Sequence, residues 1–188
     1  MITLERGTWI YHMNIIIYGS CYGTSKQYAK ELARRTNFEL LSYEEVDEIN
    51  AYETIIYIGG LYAGGVLGMK KVFSRLSDCS NKNIIIATVG LSDPSDQENI
   101  NNIRNFMEKQ LSKEIFKQAH IIHLRGGIDY AKLGLKHKAM MSLLYKKATG
   151  LPDEKKTAEV RAMIETYNKE VNFVDFDRLD EIIRIIQE

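Results

Sequence analysis

Short runs of apolar, β-branched residues recur along the chain and alternate with segments of helical periodicity. The first run, NIIIY at 14–18, is typical of a strand that is buried on both faces of a sheet. Near the end of the chain, Leu179, Ile182 and Ile186 recur at the spacing of one helical face. The predicted strands are 14–18, 38–42, 54–58, 83–89 and 120–124, and the predicted helices are 24–35, 66–76, 95–111 and 175–186.

This alternation predicts βαβ units, and therefore an α/β fold with a doubly wound, five-stranded parallel sheet and helices on both of its faces. The strand order that suits five such strands is 2-1-3-4-5, and ligands then bind beyond the carboxyl ends of the strands. The stretch 126–172 is too long for a simple strand-to-helix connection. We therefore predict a single domain over 13–188 with an extra basic helical segment at about 126–172, preceded by an extension at 1–12.

Composition and charge exclude several classes of protein. The 188 residues carry 25 Lys and Arg against 25 Asp and Glu, and this balance argues against a dedicated nucleic-acid binder. The two cysteines, Cys21 and Cys79, cannot form a disulfide framework or a four-ligand zinc site. No apolar run approaches the roughly 18 residues of a membrane span, and residues 1–12 do not resemble a signal peptide. We expect a cytoplasmic protein without a metal site.

The loop after the first strand, GSCYGTS at 19–25, combines glycine with hydroxyl side chains and leads directly into a helix. Free amides at a helix start attract anions, Ser20, Thr24 and Ser25 add hydroxyl donors, and Gly23 allows a close backbone approach. The loop therefore favours a phosphate site, although an ordinary helix cap remains an alternative. The P-loop motif GxxxxGK[ST] and the dinucleotide motif GxGxxG are both absent. Gly19 and Gly59 stand where a phospho-receiver would need carboxylates.

Three later loops are also unusual. GGLYAGG at 59–65 places four glycines around Tyr62, which could stack on a flat ligand or lie exposed in a flexible turn. VGLSDP at 89–94 supplies another glycine turn after the fourth strand. RGGIDY at 125–130 supplies a cation, two glycines and an aromatic residue after the fifth.

Together these motifs resemble the flavodoxin family. The segment YGSCYGTSKQYA at 18–29 is similar to the phosphate loop and first helix of that family. GGLYAGG, TVGLSDP and LRGGIDYAKLGLKHKAMM resemble its branch related to menaquinone-dependent protoporphyrinogen oxidase. The similarity covers residues 14–186 and implies a flavodoxin-like fold.

The resemblance also implies bound FMN. The phosphate would meet Ser20, Tyr22, Gly23, Thr24 and Ser25, and the isoalloxazine ring would lie between Gly60, Leu61, Tyr62, Ala63 and Gly64 on one side and Gly90, Leu91 and Ser92 on the other. Tyr22 departs from the family pattern, which has Thr or Ser there. Its phenol reaches too far to replace a short hydroxyl, so we expect a backbone contact there, or packing of Tyr22 over the loop. Cys21 belongs to the same loop, and we interpret it as a small filler rather than a redox thiol.

The segment 125–147 is strongly basic, with six Lys and Arg against the single Asp129. Drawn as a helix, it collects apolar and aromatic residues on one face and lysines around the other. A helix of this kind can lie on an anionic membrane or face an acidic or apolar substrate, or it can cover the edge of the sheet. The candidate substrate or partner contacts are Arg125, Tyr130, Lys136 and Met140, and the apolar face consists of Leu133, His137, Met140, Met141, Leu144 and Tyr145.

The predicted function is that of an FMN-dependent oxidoreductase, protoporphyrinogen-oxidase-like or quinone-linked. No acid–base pair or nucleophilic triad is evident, so the chemistry belongs to the flavin, with Arg125 as a candidate to stabilise reduced flavin. The alternatives are an electron carrier without its own substrate and a flavin-free interaction domain. Expected partners are a redox protein or a quinone- or porphyrinogen-like molecule; peripheral contact with the inner face of the membrane and a homodimer both stay open.

Overall fold

The computed structural model describes residues 13–62 and 64–188 of the chain. The extension predicted at 1–12 and the predicted cofactor contact Ala63 lie outside the described residues.

The central sheet has five parallel strands in the order β2-β1-β3-β5-β6. This confirms the predicted order 2-1-3-4-5, because the additional strand β4 only pairs antiparallel with the end of β3. The strands are β1 (Asn14–Gly19), β2 (Glu39–Ser42), β3 (Thr54–Tyr62), β4 (Gly65–Val66), β5 (Asn83–Gly90) and β6 (His120–Arg125).

Alternate residues of the buried strands feed two cores, one on each face of the sheet. Ile15, Ile55 and Ile84 point to one side, where they pack with α2 (Met69–Phe73), α3 (Gln97–Glu108) and α4 (Lys113–Gln118). Ile16 and Ile56 point to the other side, where α1 (Thr24–Thr36) and α7 (Leu179–Gln187) cover them. The continuous apolar runs of these strands are thus explained by burial on both faces.

Three helix predictions differ from the structure. The helix predicted at 66–76 begins only at Met69, because Gly68 adopts a left-handed conformation (φ 78°) and Val66 pairs with Leu61 in the sheet. The helix predicted at 95–111 ends at Glu108, and a separate helix, α4, begins after the cap residue Ser112. The helix predicted at 175–186 begins with a 3-10 turn before α7.

The segment 126–172 forms a small unit above the carboxyl ends of the strands. Strand β7 (Gly127–Asp129) pairs antiparallel with β8 (Glu170–Asn172) and joins the two ends of the segment. Between them lie α5 (Leu135–Thr149), a 3-10 turn (Asp153–Lys155) and α6 (Ala158–Thr166). Because both helices are connected to this β7–β8 pair, they lie over the loops in which a doubly wound sheet places its ligand site.

Candidate functional site

A cavity of about 390 Å³ opens at the carboxyl ends of β1, β3, β5 and β6. Parallel register sets these ends side by side: Gly19 pairs with Gly59, Gly60 with Val89, and Gly90 with Arg125. Four loops that are far apart in sequence therefore meet at one place. The volume lies in the roughly 300–1,000 Å³ range of small-molecule and cofactor sites.

The structure brings most of the predicted cofactor residues to this cavity. Those that line it are Ser20, Cys21, Tyr22, Thr24 and Ser25 of the first loop, Gly60, Leu61, Tyr62 and Gly64 of the second, and Gly90 and Leu91 of the third. Gly23 and Ser92 belong to the same loops but do not line the cavity. Ser92 is nine-tenths buried, and its hydroxyl has no hydrogen-bond partner among the described residues.

The first loop presents unpaired amides to the cavity at the start of α1. Gly23 adopts a left-handed conformation (φ 91°), and its N–H donates to Ser20 Oγ over 3.1 Å. The first intrahelical hydrogen bond runs from the N–H of Gln27 to the carbonyl of Gly23, so the amides of Thr24, Ser25 and Lys26 have no acceptor within the helix. Within the described part of the chain, the N-cap residue Gly23 provides no side-chain cap for them. Such a helix start binds anions through its free donors and its dipole.

The first loop packs closely against β7 and the end of β3. The Thr24 hydroxyl donates to the carbonyl of Gly127 over 3.0 Å and thereby ties the loop to β7. Ser25 is almost fully buried, and a Cβ at Gly60 would come within 3.2 Å of its Oγ. A larger residue at position 60 would therefore crowd the loop. Glycine at this position allows the end of β3 to lie close to the start of α1.

Tyr22 packs over the loop towards α5. Its hydroxyl lies 3.9 Å from the sulfur of Met141, and its ring meets His137 edge-on at a centroid distance of 5.7 Å. Burial raises the pKa of the Tyr22 phenol, so the side chain stays neutral. Packing, one of the two expectations for this departure from the family pattern, is what the structure shows.

Cys21 is half-buried, and its sulfur lies 3.6 Å from Nε2 of His137. Burial raises the pKa of the Cys21 thiol above its ordinary value, and this disfavours the reactive thiolate. Cys21 thus lies between the loop and α5, and its interpretation as a small filler stays a prediction.

Tyr62 and the two helices of the small unit form the upper wall of the cavity. The Tyr62 hydroxyl lies 3.5 Å from the sulfur of Met140 on α5. Helix α5 thus contacts the ligand loops with its inner face, and the alternative in which it covers the edge of the sheet is wrong. The other side chains of this wall are Met141, Leu144, Glu159, Val160 and Met163.

Arg125, Tyr130 and Lys136 do not line the cavity, unlike Met140. The guanidinium of Arg125 lies 3.8 Å from the ring centroid of Phe173 and donates to the carbonyl of Leu91. It therefore holds the third loop in place instead of pointing at a ligand. Tyr130 is buried behind the wall, and Lys136 is exposed at the start of α5.

The sequence reasoning missed the contribution of α6. Glu159, Val160 and Met163 line the cavity, yet within the helical segment predicted at about 126–172 no separate helix was placed at these residues. The available signal was the cap residue Thr157 followed by Val160 and Met163 at helical spacing, and the Thr157 hydroxyl does accept from the N–H of Val160.

Within residues 13–62 and 64–188, no three His, Cys, Asp or Glu side chains gather in a way that could hold a metal ion. In the same part of the chain, no helix has the length and apolar character needed to cross a bilayer.

The sequence profile of the flavodoxin domain family matches residues 15–155. The chain belongs to this family. A comparison with curated proteins finds no match. Among solved structures, a "Putative flavoprotein" from Bacteroides uniformis is 13% identical; the alignment covers 62% of this chain and 92% of that one, with a TM-score of 0.43.

Membership of the flavodoxin domain family implies a flavin cofactor, and the cavity residues fit one. The free amides at the start of α1 suit a phosphate, and the apolar side chains of Leu61, Tyr62 and Leu91 suit a flat ring. The matched residues include all four strand-end loops and α5, whereas Glu159, Val160 and Met163 lie beyond them.

Proposed function

We propose that this protein binds FMN in the cavity and is an oxidoreductase acting on a small apolar molecule of quinone or porphyrinogen type. The observation that carries the proposal is the cavity itself, which joins a helix start with free amides to largely apolar walls. Bound FMN would supply the redox chemistry by accepting and donating electrons. The chain would hold the phosphate at Ser20 to Ser25 and limit access of water to the ring.

The upper wall favours an enzyme over a simple electron carrier. A carrier exchanges electrons with a protein partner through an accessible ring, whereas here α5 and α6 place side chains over the cavity. Met140, Met141 and Met163 are adaptable apolar residues, suited to an apolar substrate. Rapid electron exchange with a redox protein, together with no turnover of quinones or porphyrinogens, would favour the carrier function.

The test of FMN binding uses two flavins that differ in the phosphate. We expect purified protein to release FMN, identified by its visible spectrum and mass, and the flavin-free protein to bind added FMN. Riboflavin, which lacks the phosphate, should bind about a hundredfold more weakly, because two charge-assisted hydrogen bonds contribute about 3 kcal/mol. A colourless protein that does not bind FMN would establish the flavin-free interaction domain instead.

The outer face of α5 supports a proposal about location. Leu135 and Leu143 are 88% and 71% exposed, and the lysines Lys136, Lys146 and Lys147 lie around them. Exposed leucines beside lysines match the chemistry of an anionic lipid surface, which attracts the lysines and accepts the leucines. We therefore propose peripheral contact between this face and an anionic membrane.

For this contact we expect the protein to co-sediment with phosphatidylglycerol-containing vesicles and not with vesicles of phosphatidylcholine alone. Binding should fall as salt is raised, since about 1 kcal/mol per lysine is screened. The double variant L135S/L143S should bind roughly tenfold more weakly or worse. Co-sedimentation that is independent of salt and of anionic lipid, or no co-sedimentation, would reject the contact.

A further inference from the structure

The side chains of the cavity wall are almost all uncharged. The first loop contributes hydroxyls, a thiol and backbone amides, the second and third contribute glycines, leucines and Tyr62, and α5 contributes methionines and Leu144. Among the described residues that line the cavity, Glu159 on α6 is the only one with a charged side chain. Arg125 and Lys136, the two cations predicted to contact a substrate or partner, contact other parts of the molecule or solvent.

Glu159 takes part in no ion pair among the residues that the structure describes. Its pKa is raised, and the cause is burial alone, with no hydrogen bond or ion pair contributing within the described part of the chain. The residue is nevertheless exposed. The two observations agree, because a carboxylate can keep contact with water while apolar walls such as Val160 and Met163 remove much of the surrounding solvent.

An unpaired carboxylate beside apolar walls exerts a strong electrostatic force on a charged molecule that enters the cavity. Charges interact more strongly beside apolar walls than in bulk water, and the structure shows no lining cation in the described residues to offset Glu159. A second carboxylate or a sulfonate brought close to Glu159 would be repelled. A neutral or cationic molecule would not.

We propose that Glu159 selects substrates by charge, so that, apart from the anion site at the start of α1, the cavity favours uncharged or cationic apolar molecules over anionic ones. The inference rests on the proposed function and narrows it: among the two substrate types considered, it favours a neutral quinone over a porphyrinogen with carboxylate side chains. Glu159 lies beyond the residues that match the flavodoxin domain family.

The first experiment measures binding without relying on the flavin. N-phenyl-1-naphthylamine and 8-anilinonaphthalene-1-sulfonate share one ring skeleton, and only the second carries a sulfonate. Fluorescence titration of flavin-free protein gives the ratio of their affinities. We expect E159Q to strengthen sulfonate binding about three- to tenfold and to leave the neutral probe within twofold. E159D, which keeps the charge, should behave like the unchanged protein.

A matched control removes the same charge outside the cavity. Glu154 is exposed in the 3-10 turn before α6 and does not line the cavity, so E154Q changes the net charge equally. We expect E154Q to leave the affinity ratio unchanged. An unchanged ratio in E159Q, or an equal change in E154Q, would overturn the proposal.

The second experiment uses protein loaded with FMN and reduced by dithionite. Mixing it with 1,4-naphthoquinone or its 2-sulfonate transfers two electrons and two protons to the quinone, which becomes the hydroquinone, while the flavin is reoxidised. E159Q should raise the relative rate with the sulfonate about three- to tenfold. If no flavin binds, the proposed function fails while the probe titration still decides the charge selectivity.

Discussion

The Gly23→Asp variant should bind FMN at least about tenfold more weakly than Gly23→Asn. The phosphate is predicted to lie against the amides that follow Gly23. A carboxylate about 6 Å from a phosphate dianion costs roughly 1.4 kcal/mol even at the dielectric constant of water, and more in a protein cavity. This is the largest effect on cofactor binding that we expect from a single change of charge.

The comparison with asparagine isolates that charge. Gly23 has φ 91°, and a Cβ added there would meet nothing within 4 Å, so either side chain has space. Asn and Asp tolerate the left-handed conformation better than other residues and share any remaining strain. The two variants should therefore unfold at similar denaturant concentrations and differ in affinity for FMN.

Calorimetric or fluorescence titration with FMN and riboflavin checks this prediction. The difference between the two variants should nearly disappear for riboflavin, because it has no phosphate to repel. Equal FMN affinities in Asp and Asn variants of similar stability would place the phosphate elsewhere.

The strands and the loops after them were predictable because their signals are local. A run such as NIIIY needs burial on both faces whatever lies around it, and parallel strands bring their carboxyl ends to one edge of the sheet. Tyr18 to Ser25 and Gly59 to Gly65 could therefore be placed near each other before any coordinates. That placement depends on chain direction and strand order alone.

Helix boundaries and the upper wall were less predictable because distant contacts decide them. Val66 has an apolar side chain that suits a helix, yet pairing with Leu61 places it in β4. Arg125 follows a strand end as expected, but its guanidinium meets Phe173, which arrives nearly fifty residues later in the chain. On α5, helical spacing separated the inward Met141 from the exposed Leu135 and Leu143, but it could not show that the inner face meets the ligand loops.

The largest loss of stability from removing a single hydroxyl should come from Tyr28→Phe. Tyr28 is fully buried on α1 and joins two other parts of the chain. Its hydroxyl donates to the carbonyl of Arg125 over 2.8 Å and accepts from the N–H of Asp175 over 2.9 Å. The end of β6 is thereby tied to the turn that leads into α7. Removing the oxygen leaves both backbone groups without this partner.

We expect Tyr28→Phe to lower the free energy of unfolding by about 2–3 kcal/mol, since the two hydrogen bonds that it removes contribute about 1–1.5 kcal/mol each. For a chain of this length the melting temperature should fall by about 5–10 °C. Urea unfolding followed by circular dichroism gives the free energy, and an unchanged slope with denaturant shows that the same surface is exposed.

Tyr130→Phe is the matched control, because it removes the same phenolic hydroxyl from another buried tyrosine. Tyr130 is 5% exposed, and its hydroxyl has no hydrogen-bond partner among the described residues. Deleting a buried hydroxyl that makes no hydrogen bond removes a cost of desolvation, so the free energy of unfolding should stay within about 0.5 kcal/mol or rise. Equal destabilisation by the two substitutions would contradict the bridging role of Tyr28, because it would assign the loss to packing of the rings rather than to the hydrogen bonds.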